Sequence, residues 1–238
     1  MTQKIRVQKI ISNNTSYSRR AAEKLIEEGR VKVNNEIIKI GATANPERDE
    51  ISIDDKKIKT IKKIYIAINK PRGYVTSTHD PHEKTIMKII PPKYKDQNIY
   101  PAGRLDKDTE GLLILTNDGD FANKIMHPSN NIKKTYEGIA LGKLSKKDIE
   151  QLRGGIKLDE GIAKCKIKIT PEKERTRFEI ILETGWTRQI RRMFEAIGHE
   201  VIELRRTKIG NMHIDELGGK EIKEYNKQEI ENKIKKQF

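Results

Sequence analysis

Apolar and polar residues alternate along the amino-terminal part of the chain with the periods of helices and a hairpin. One helix has its apolar face at Ala21, Ala22, Leu25 and Ile26, and Ser18 precedes it as a candidate N-cap. The pattern predicts a small domain at residues 1–60 with a polar linker at 54–63. Its predicted elements are an amphipathic segment at 5–12, a helix ended by Gly29, and strands at 30–33, 36–40 and 50–53.

Short apolar runs separated by turn residues continue from Ile64 and predict a second, larger domain at residues 61–238. Strands outnumber helices there and hairpin-like spacings dominate, which is typical of an α+β fold with a mainly antiparallel, mixed sheet flanked by helices. The lysine- and glutamate-rich tail from Lys220 is expected to be partly disordered. The predicted strands are 65–68, 74–76, 112–116, 134–141, 163–170, 177–183 and 201–209, and the predicted helices are 146–152 and 187–197.

One polar turn stands out within residues 103–120 because it leads directly into a buried strand. Arg104 and Asp106 lie in this turn, and the apolar run 112–116 follows them. A carboxylate at the rim of a buried strand can be held rigidly and still contact a ligand. From spacing alone, an acid that only caps the turn explains Asp106 equally well.

The charge of the chain indicates a polyanionic partner. Lysine and arginine outnumber aspartate and glutamate by 49 to 35, which gives a formal net charge of +14 over 238 residues. Cations that neutralise phosphates release bound counterions, so a basic surface favours nucleic acid. No apolar run approaches the roughly 18 residues that span a bilayer, and no signal peptide opens the chain, so we expect no membrane partner.

Cysteine and histidine argue against other kinds of site. The lone Cys165 cannot form an intrachain disulfide, and it lies in an alternating run at 163–169 that predicts an ordinary strand position. His79 and His82 stand beside acids, yet Pro81 and the lack of a convergent partner argue against a metal site. We therefore expect no metal and a reducing, cytoplasmic setting, and as a separate expectation a monomer.

Four runs in the larger domain carry a family resemblance. They read NKPRGYVTS at 69–77, GRLDKDTEGLLILTNDG at 103–119, KKTYEGIA at 133–140 and GWTRQIRRMFEAIGHEVIELRR at 185–206. In this order they resemble the motifs of pseudouridine synthases that modify ribosomal RNA, in the branch with the small-subunit enzyme and its large-subunit relatives. Residues 3–55 resemble the small RNA-binding domain of the S-four (S4) type. The resemblance implies an enzyme that isomerises uridine to pseudouridine without a cofactor.

The resemblance also implies roles for residues of the larger domain. Asp106 is expected to be the catalytic carboxylate and Arg191 the cation that pairs with it. Tyr136 is expected to stack on the target uracil, and its hydroxyl is a candidate in proton transfer. Ile190 supplies an apolar wall of the base pocket. The other acids of the Asp106 run are expected to be turn residues: Asp108, Glu110, Asp118 and Asp120.

Helical spacing supports the position of Arg191 independently. Apolar residues at 190, 193, 194 and 197 recur on one helical face, which predicts that this face is core. Arg191 borders that stripe and can turn inward to a cleft, whereas Arg188 and Arg192 lie nearer the solvent. Trp186 stands where the family commonly has a small or basic residue, and at a pocket rim it can stack on a base or simply pack.

Basic residues of both domains are predicted to contact RNA. Arg19 and Arg20 open a helix, where cations oppose the helix dipole and a phosphate would compensate them. Arg104 is expected to hold the loop of Asp106 or a phosphate. The predicted RNA contacts are Arg6, Arg19, Arg20, Arg30 and Lys32 in the first domain, and Lys70, Arg72, Lys133, Lys134, Arg188 and Arg192 in the second.

These features together predict a pseudouridine synthase that acts on ribosomal RNA or a ribosomal precursor particle, with large-subunit RNA favoured over the small-subunit uridine. A non-catalytic RNA-binding or ribosome-assembly factor is the alternative from another class, but it would not need Asp106, Tyr136 and Arg191 together. A helix-turn-helix DNA-binding protein would leave most of the chain unexplained. A methyltransferase would need a glycine-rich cofactor loop that the sequence lacks.

Overall fold

The chain forms two units that divide between Lys63 and Ile64. The structure, a computed structural model, describes residues 4–235. Each unit has its own buried apolar clusters, so each is a domain with its own core. Within the described residues no helix combines the length and the apolar character needed to cross a membrane.

The amino-terminal unit consists of two helices and short strands. Its elements are β1 (Ile5–Arg6), α1 (Val7–Asn14), α2 (Arg19–Glu27), β2 (Val31–Val33), β3 (Glu36–Ile37), β4 (Thr43–Ala44), β5 (Ile51–Ile53) and β6 (Lys56–Lys57). Strands β3-β2-β5-β6 form one antiparallel sheet in that order, and Val7 and Ile11 of α1 and Ala22 of α2 are fully buried in the core of this unit. The Ser18 hydroxyl caps α2 by accepting the Ala21 amide at 3.1 Å, which confirms the predicted cap.

Part of the predicted linker at 54–63 belongs to the sheet. Asp54 and Asp55 have φ of 48° and 61°, the left-handed values of a two-residue hairpin turn, and β6 then pairs with β5. The Arg30 guanidinium holds this turn by donating to both carboxylate oxygens of Asp54, at 2.8 and 2.6 Å. The linker prediction was therefore too long, because a short polar edge strand carries no apolar signal.

The larger unit is built on one mixed sheet. Its elements are β7 (Tyr65–Lys70), α3 (Pro92–Lys95), β8 (Tyr100–Pro101), β9 (Glu110–Thr116), α4 (Gly119–Met126), β10 (Lys134–Leu141), α5 (Lys146–Gly154), β11 (Ile156–Leu158), β12 (Gly161–Ala163), β13 (Lys166–Pro171), β14 (Arg175–Leu182), α6 (Gln189–Glu195), β15 (Val201–Ile209), β16 (Met212–His213), β17 (Ile222–Tyr225) and α7 (Lys227–Ile234). The sheet runs β13-β14-β10-β15-β9-β7-β17, and along it only β15 and β9 are parallel among the described strands. The predicted α+β fold with a mainly antiparallel, mixed sheet is confirmed.

Helices cover the two halves of this sheet. Helices α4 and α7 pack against β7 and β9 in a cluster that contains Phe121. Helices α5 and α6 pack against β10, β14 and β15, where the rings of Phe178 and Phe194 lie 4.5 Å apart. In α6, Ile190, Met193 and Phe194 are at most 4% exposed, which confirms the apolar face that their spacing predicted.

The strand predicted at 74–76 does not form. Val75 makes only an isolated bridge, to Thr85. The Thr76 hydroxyl donates to the Leu105 carbonyl at 2.6 Å, and the Leu105 amide donates back to the same hydroxyl at 3.1 Å. This segment therefore supports the loop before Asp106 instead of extending the sheet, because its polar atoms bond that loop.

The strand predicted at 163–170 is interrupted, and Cys165 lies in the interruption between β12 and β13. Its thiol donates to the Leu152 carbonyl of α5 at 3.3 Å, and burial raises the pKa of the thiol to about 11. The expected strand position for Cys165 was therefore wrong. The residue joins a helix to the strand break and stays protonated, hence unreactive, at neutral pH.

The larger unit contains three helices that the sequence pattern missed: the short α3 and the longer α4 and α7. Asp118, expected to be a turn residue, is the N-cap of α4, and its Oδ1 accepts the amides of Asp120 and Phe121 at 3.1 and 3.2 Å. The tail from Lys220, expected to be partly disordered, forms β17 at the sheet edge and then α7. Ile230 is fully buried in the core, so the charged composition concealed a short amphipathic helix.

Candidate active site

The turn before β9 places Asp106 at the edge of a cavity of about 160 Å³. The Thr109 amide donates to the Asp106 carbonyl at 3.0 Å, which closes residues 106–109 into a β-turn, called the Asp106 turn below. Asp106 is half-buried, and it lines the cavity together with Tyr136 and Arg191. The structure thus brings together three residues that the sequence singled out from separate motifs.

Lys70 supports the Asp106 turn from inside the protein. Its side chain is fully buried, and Nζ donates to the carbonyls of Thr109 at 2.7 Å, Asp106 at 3.1 Å and Pro71 at 3.2 Å. Burial lowers the pKa of Lys70 from 10.5 to about 8, and the nearby carboxylates, chiefly that of Asp106, act in the opposite direction. The expected RNA contact through Lys70 is therefore wrong, because β7 carries this residue beneath the turn and out of reach of a ligand.

The buried amine makes stability depend on pH. Between the folded pKa of about 8 and the unfolded value of 10.5, the unfolded chain binds more protons than the native protein, so the contribution of Lys70 to the free energy of unfolding rises with pH. In urea denaturation, wild type should therefore gain stability relative to Lys70→Met between about pH 7.5 and about pH 9.5. Lys134, whose pKa burial also lowers to about 8, is present in both proteins and cancels. The same pH dependence in both proteins would contradict this assignment.

Asp108 is the direct ion-pair partner of Arg191. The Arg191 side chain is 12% exposed, and its Nε lies 3.1 Å from Asp108 Oδ2, while Arg188 Nη1 lies 3.2 Å from the same oxygen. Arg191 also donates to the carbonyls of Val201 and Asp108, which fixes the guanidinium beside the cavity. The predicted partner, Asp106, acts at longer range: burial lowers the pKa of Arg191, and the carboxylates of Asp108 and then Asp106 oppose that effect. Asp108 is thus more than a turn residue.

Apolar side chains form the walls of the cavity. They include Leu105, Leu182, Ile190, Leu204 and the ring of Tyr136. Ile190 is 4% exposed and lies where a base-pocket wall was predicted. Trp186 borders the cavity, its amide donates to Gln189 Oε1 at 3.0 Å, and its ring lies beside Gly161. The tryptophan therefore both packs and presents an edge to the cavity.

Arg206 is a buried residue of the site region that sequence reasoning did not single out. It is 4% exposed, and its Nε and Nη1 donate to the carbonyls of Leu112 at 2.8 Å and Arg104 at 3.4 Å. Its guanidinium carbon lies 6.0 Å from the ring centroid of Tyr136. The sequence held one sign of its burial: Arg206 lies on the apolar side of the predicted strand 201–209. The resemblance used this residue only as the last position of the run 185–206.

Strands β9 and β15 join the two halves of the sheet next to the Asp106 turn. Their parallel pairing places Gly111 opposite Arg206. Gly111 has φ of 112°, and a Cβ there would lie 2.3 Å from the Arg206 carbonyl oxygen. Only glycine allows the two strands this close approach.

Several predicted RNA contacts of the larger unit lie outside the first cavity. Arg192 pairs with Glu160 at 2.7 Å, and Arg72 Nε lies 3.8 Å from Glu110 along a different groove. Lys134 lines a second cavity. Lys133, the preceding residue, is half-buried. Among the residues that the structure describes, no group of three or more histidines, cysteines or acids could hold a metal ion.

In the amino-terminal unit, most of the predicted RNA contacts already have protein partners. Arg6 donates to the Gly41 carbonyl, and Arg30 and Lys32 pair with Asp54 and Asp55, both at 2.6 Å. Arg19 and Arg20 are exposed in the first turn of α2. These two arginines are therefore the basic residues of the predicted set best placed to meet a phosphate from solution.

Comparisons with known proteins agree with this architecture. Residues 64–196 match the family model of RNA pseudouridylate synthase, and residues 5–51 match the S4 domain. The chain is 40% identical to an RNA pseudouridine synthase of Aquifex aeolicus (strain VF5) over 95% of this chain and 92% of that protein. It is 39% identical to ribosomal large subunit pseudouridine synthase B of Bacillus subtilis (strain 168), over 94% and 93%. A crystal structure of a pseudouridylate synthase matches with a TM-score of 0.67 at 31% identity, covering 95% of this chain and 98% of that one.

Fold, motif order and comparisons define the class as an RNA-modifying isomerase, with an S4 RNA-binding domain that precedes the catalytic domain along the chain. The chain belongs to the RNA pseudouridine synthase family. The resemblance drawn from the four sequence runs is confirmed, and RNA is the partner that the S4 domain and the relatives support.

Proposed function

We propose that this protein isomerises one uridine of ribosomal RNA to pseudouridine, with Asp106 as the essential carboxylate. The observation that carries the proposal is the position of Asp106 in a small cavity between Tyr136 and Arg191. The Bacillus subtilis relative is named for the large ribosomal subunit, which supports large-subunit RNA as the substrate. The small-subunit uridine is the alternative target.

The reaction is a rearrangement that neither gains nor loses atoms. The bond from uracil N1 to ribose C1′ breaks, the uracil turns within the site, and a bond forms from C5 to C1′. The proton that leaves C5 is balanced by one that N1 gains. Because neither of these bonds is reachable while the base is stacked, the uridine must be flipped out of its helix into a pocket.

Asp106 acts on the ribose side of the uridine, either as a nucleophile or by helping to remove a proton. Either role needs an ionised carboxylate, and positive charge nearby stabilises an ionised carboxylate. Lys70 and Arg191 supply that positive charge, since both interact electrostatically with Asp106. Asp108 holds Arg191 in place through the 3.1 Å ion pair.

Tyr136 is proposed to stack on the uracil and to take part in proton transfer. Tyr136→Phe keeps the ring and removes the hydroxyl, so KM should be unchanged while kcat falls by about 10²-fold. Tyr136→Leu removes the ring and should raise KM as well. Steady-state kinetics on a ribosomal RNA fragment measures both constants. A phenylalanine variant with wild-type kcat would assign Tyr136 to stacking alone.

The RNA is proposed to be engaged first through phosphate contacts of the amino-terminal domain. The S4 match and the net charge of +14 support this, and Arg19 and Arg20 are exposed at the start of α2. The protein would act as a monomer in the cytoplasm, on ribosomal RNA or on a precursor particle.

The proposed function is tested by mapping pseudouridines in ribosomal RNA from a strain that lacks the gene. We expect one large-subunit pseudouridine to disappear and to return when the wild-type gene is restored. A lost mark in small-subunit RNA would move the assignment to the alternative target. If every ribosomal pseudouridine persists in the deletion strain, ribosomal RNA is not the substrate.

A further inference from the structure

A second cavity, of about 290 Å³, adjoins the one that contains Asp106. Arg104, Tyr136 and Trp186 line both cavities, so the two are neighbours that share these residues as a wall. The second cavity continues to Lys134 and Arg206, which do not line the first. A nucleotide whose base fills the first cavity would extend its backbone toward these two cations.

Arg206 carries a buried positive charge that lacks an acidic partner. It is 4% exposed, and its described hydrogen bonds go to two backbone carbonyls. Its Nη2 is buried without a hydrogen-bond partner, and within residues 4–235 no carboxylate forms an ion pair with this guanidinium. Burying an uncompensated charge costs several kcal/mol in general, so a ligand that supplies an anion would be favoured here.

Lys134 points to the same kind of ligand. Its Nζ donates to the Ile125 carbonyl at 3.1 Å. Burial and then repulsion from Arg206 lower the pKa of the amine to about 8, and no acid opposes them. The acid that lines this cavity, Glu183, is an exposed residue. Two neighbouring cations that repel each other are an arrangement that an anion between them would stabilise.

We propose that the second cavity binds a backbone phosphate next to the target uridine, with Lys134 and Arg206 as its cationic contacts. This inference rests on the proposed function, since it takes the first cavity as the site of the uracil. A second base stacked on Trp186 would account for the apolar part of the cavity, but it would leave both cations uncompensated.

Small nucleotides test the site without knowledge of the full RNA substrate. Binding to the full-length protein is measured by calorimetry for uridine, uridine 5′-monophosphate, uridine 3′-monophosphate and uridine 3′,5′-bisphosphate. We expect the bisphosphate to bind about tenfold more tightly than uridine, because a charge-assisted contact to phosphate adds to the contacts of the base. The two monophosphates show which side of the uridine supplies the phosphate. Equal affinity for uridine and the bisphosphate would overturn the proposal.

Variants distinguish specific binding of phosphate in the second cavity from nonspecific attraction of phosphate to a basic protein. Lys134→Gln should lower the preference for the bisphosphate to less than about threefold, and Lys134→Arg should retain most of it. Lys208→Gln is the matched control, because Lys208 lies on the neighbouring strand opposite Thr135 and does not line the cavity. A preference that survives in Lys134→Gln, or that falls equally in Lys208→Gln, would also overturn the proposal. Arg206 is buried, so Arg206→Gln is informative only if its thermal unfolding curve matches that of wild type. The Lys134 variants therefore decide whether the proposal holds.

The phosphate-site proposal and the proposed function can be rejected independently of each other. Nucleotide affinity involves no turnover, whereas the function is read as pseudouridine in ribosomal RNA. A mapped pseudouridine without a phosphate preference would keep the function and reject the subsite. A phosphate preference that depends on Lys134, without any lost pseudouridine, would keep an anion site and reject the function.

Discussion

Replacing Asp106 with asparagine should lower the rate of pseudouridine formation by at least about 10³-fold while leaving the fold intact. The amide keeps the shape of the side chain but cannot act as a nucleophile or accept a proton at ordinary pH. The turn does not depend on this carboxylate, since Lys70 Nζ and the Thr109 amide donate to the Asp106 carbonyl instead. Formation of pseudouridine in a ribosomal RNA fragment, with thermal unfolding and RNA binding measured on the same sample, provides the readout.

Asp108→Asn is the matched control for this experiment. Asp108 lies in the same turn and pairs with Arg191, so its loss should misplace the cation without removing the reacting group. We expect activity to fall only about tenfold, in line with a partly exposed ion pair that positions another residue. If the two asparagine variants lose activity equally, or if Asp108→Asn is the more damaged, the catalytic assignment of Asp106 is wrong.

Lys70→Met should destabilise the protein by about 2–4 kcal/mol at neutral pH. Methionine fills similar space but removes the amine that donates to the carbonyls of Pro71, Asp106 and Thr109, of which the Thr109 contact is buried. Because two of these carbonyls belong to the Asp106 turn, the activity of the molecules that stay folded should also fall. Urea denaturation gives the free energy of unfolding, and activity is measured well below the unfolding transition.

Lys107→Met tests whether any lysine of this region would have the same effect. Lys107 lies within the Asp106 turn, but its side chain is half exposed and pairs with Glu83 at 2.7 Å on the surface. Surface ion pairs contribute little, so we expect a change within about 0.5 kcal/mol. A loss at Lys107 as large as that at Lys70 would mean that burial and the carbonyl contacts are not the cause.

The sequence predicted most of the sheet and three residues that line the candidate site, because both depend on patterns that are local. Apolar alternation marked β10 and β15, and the motif order marked Asp106, Tyr136 and Arg191. Polar elements with few apolar residues were missed, as in β6 and α7, since their stability comes from edge pairing and a single buried face. A cap and a turn acid look alike in sequence, which is why Asp118 was misread.

The errors within the site share one cause, which is that sequence does not show what the side chain of a basic residue contacts in the folded protein. Lys70 looked like an exposed contact for RNA, yet β7 directs it under the Asp106 turn. Arg191 was expected beside Asp106, but the turn offers it Asp108 two residues later. Arg206 was not singled out, because its burial depends on the pairing of β15 with two other strands. These contacts depend on tertiary structure, which the local sequence pattern does not show.

The close approach of Gly111 to Arg206 has a consequence for the order in which the protein folds. The Asp106 turn lies early in the larger unit, while the residues that meet it come from α6 and β15, far along the chain. Contacts between such distant segments close long loops, so they are slow to form. We expect the hairpin of β13 with β14, whose strands are adjacent in the chain, to form before the β9–β15 pairing. During synthesis the cavity at Asp106 would then stay incomplete until α6 and β15 have also emerged from the ribosome.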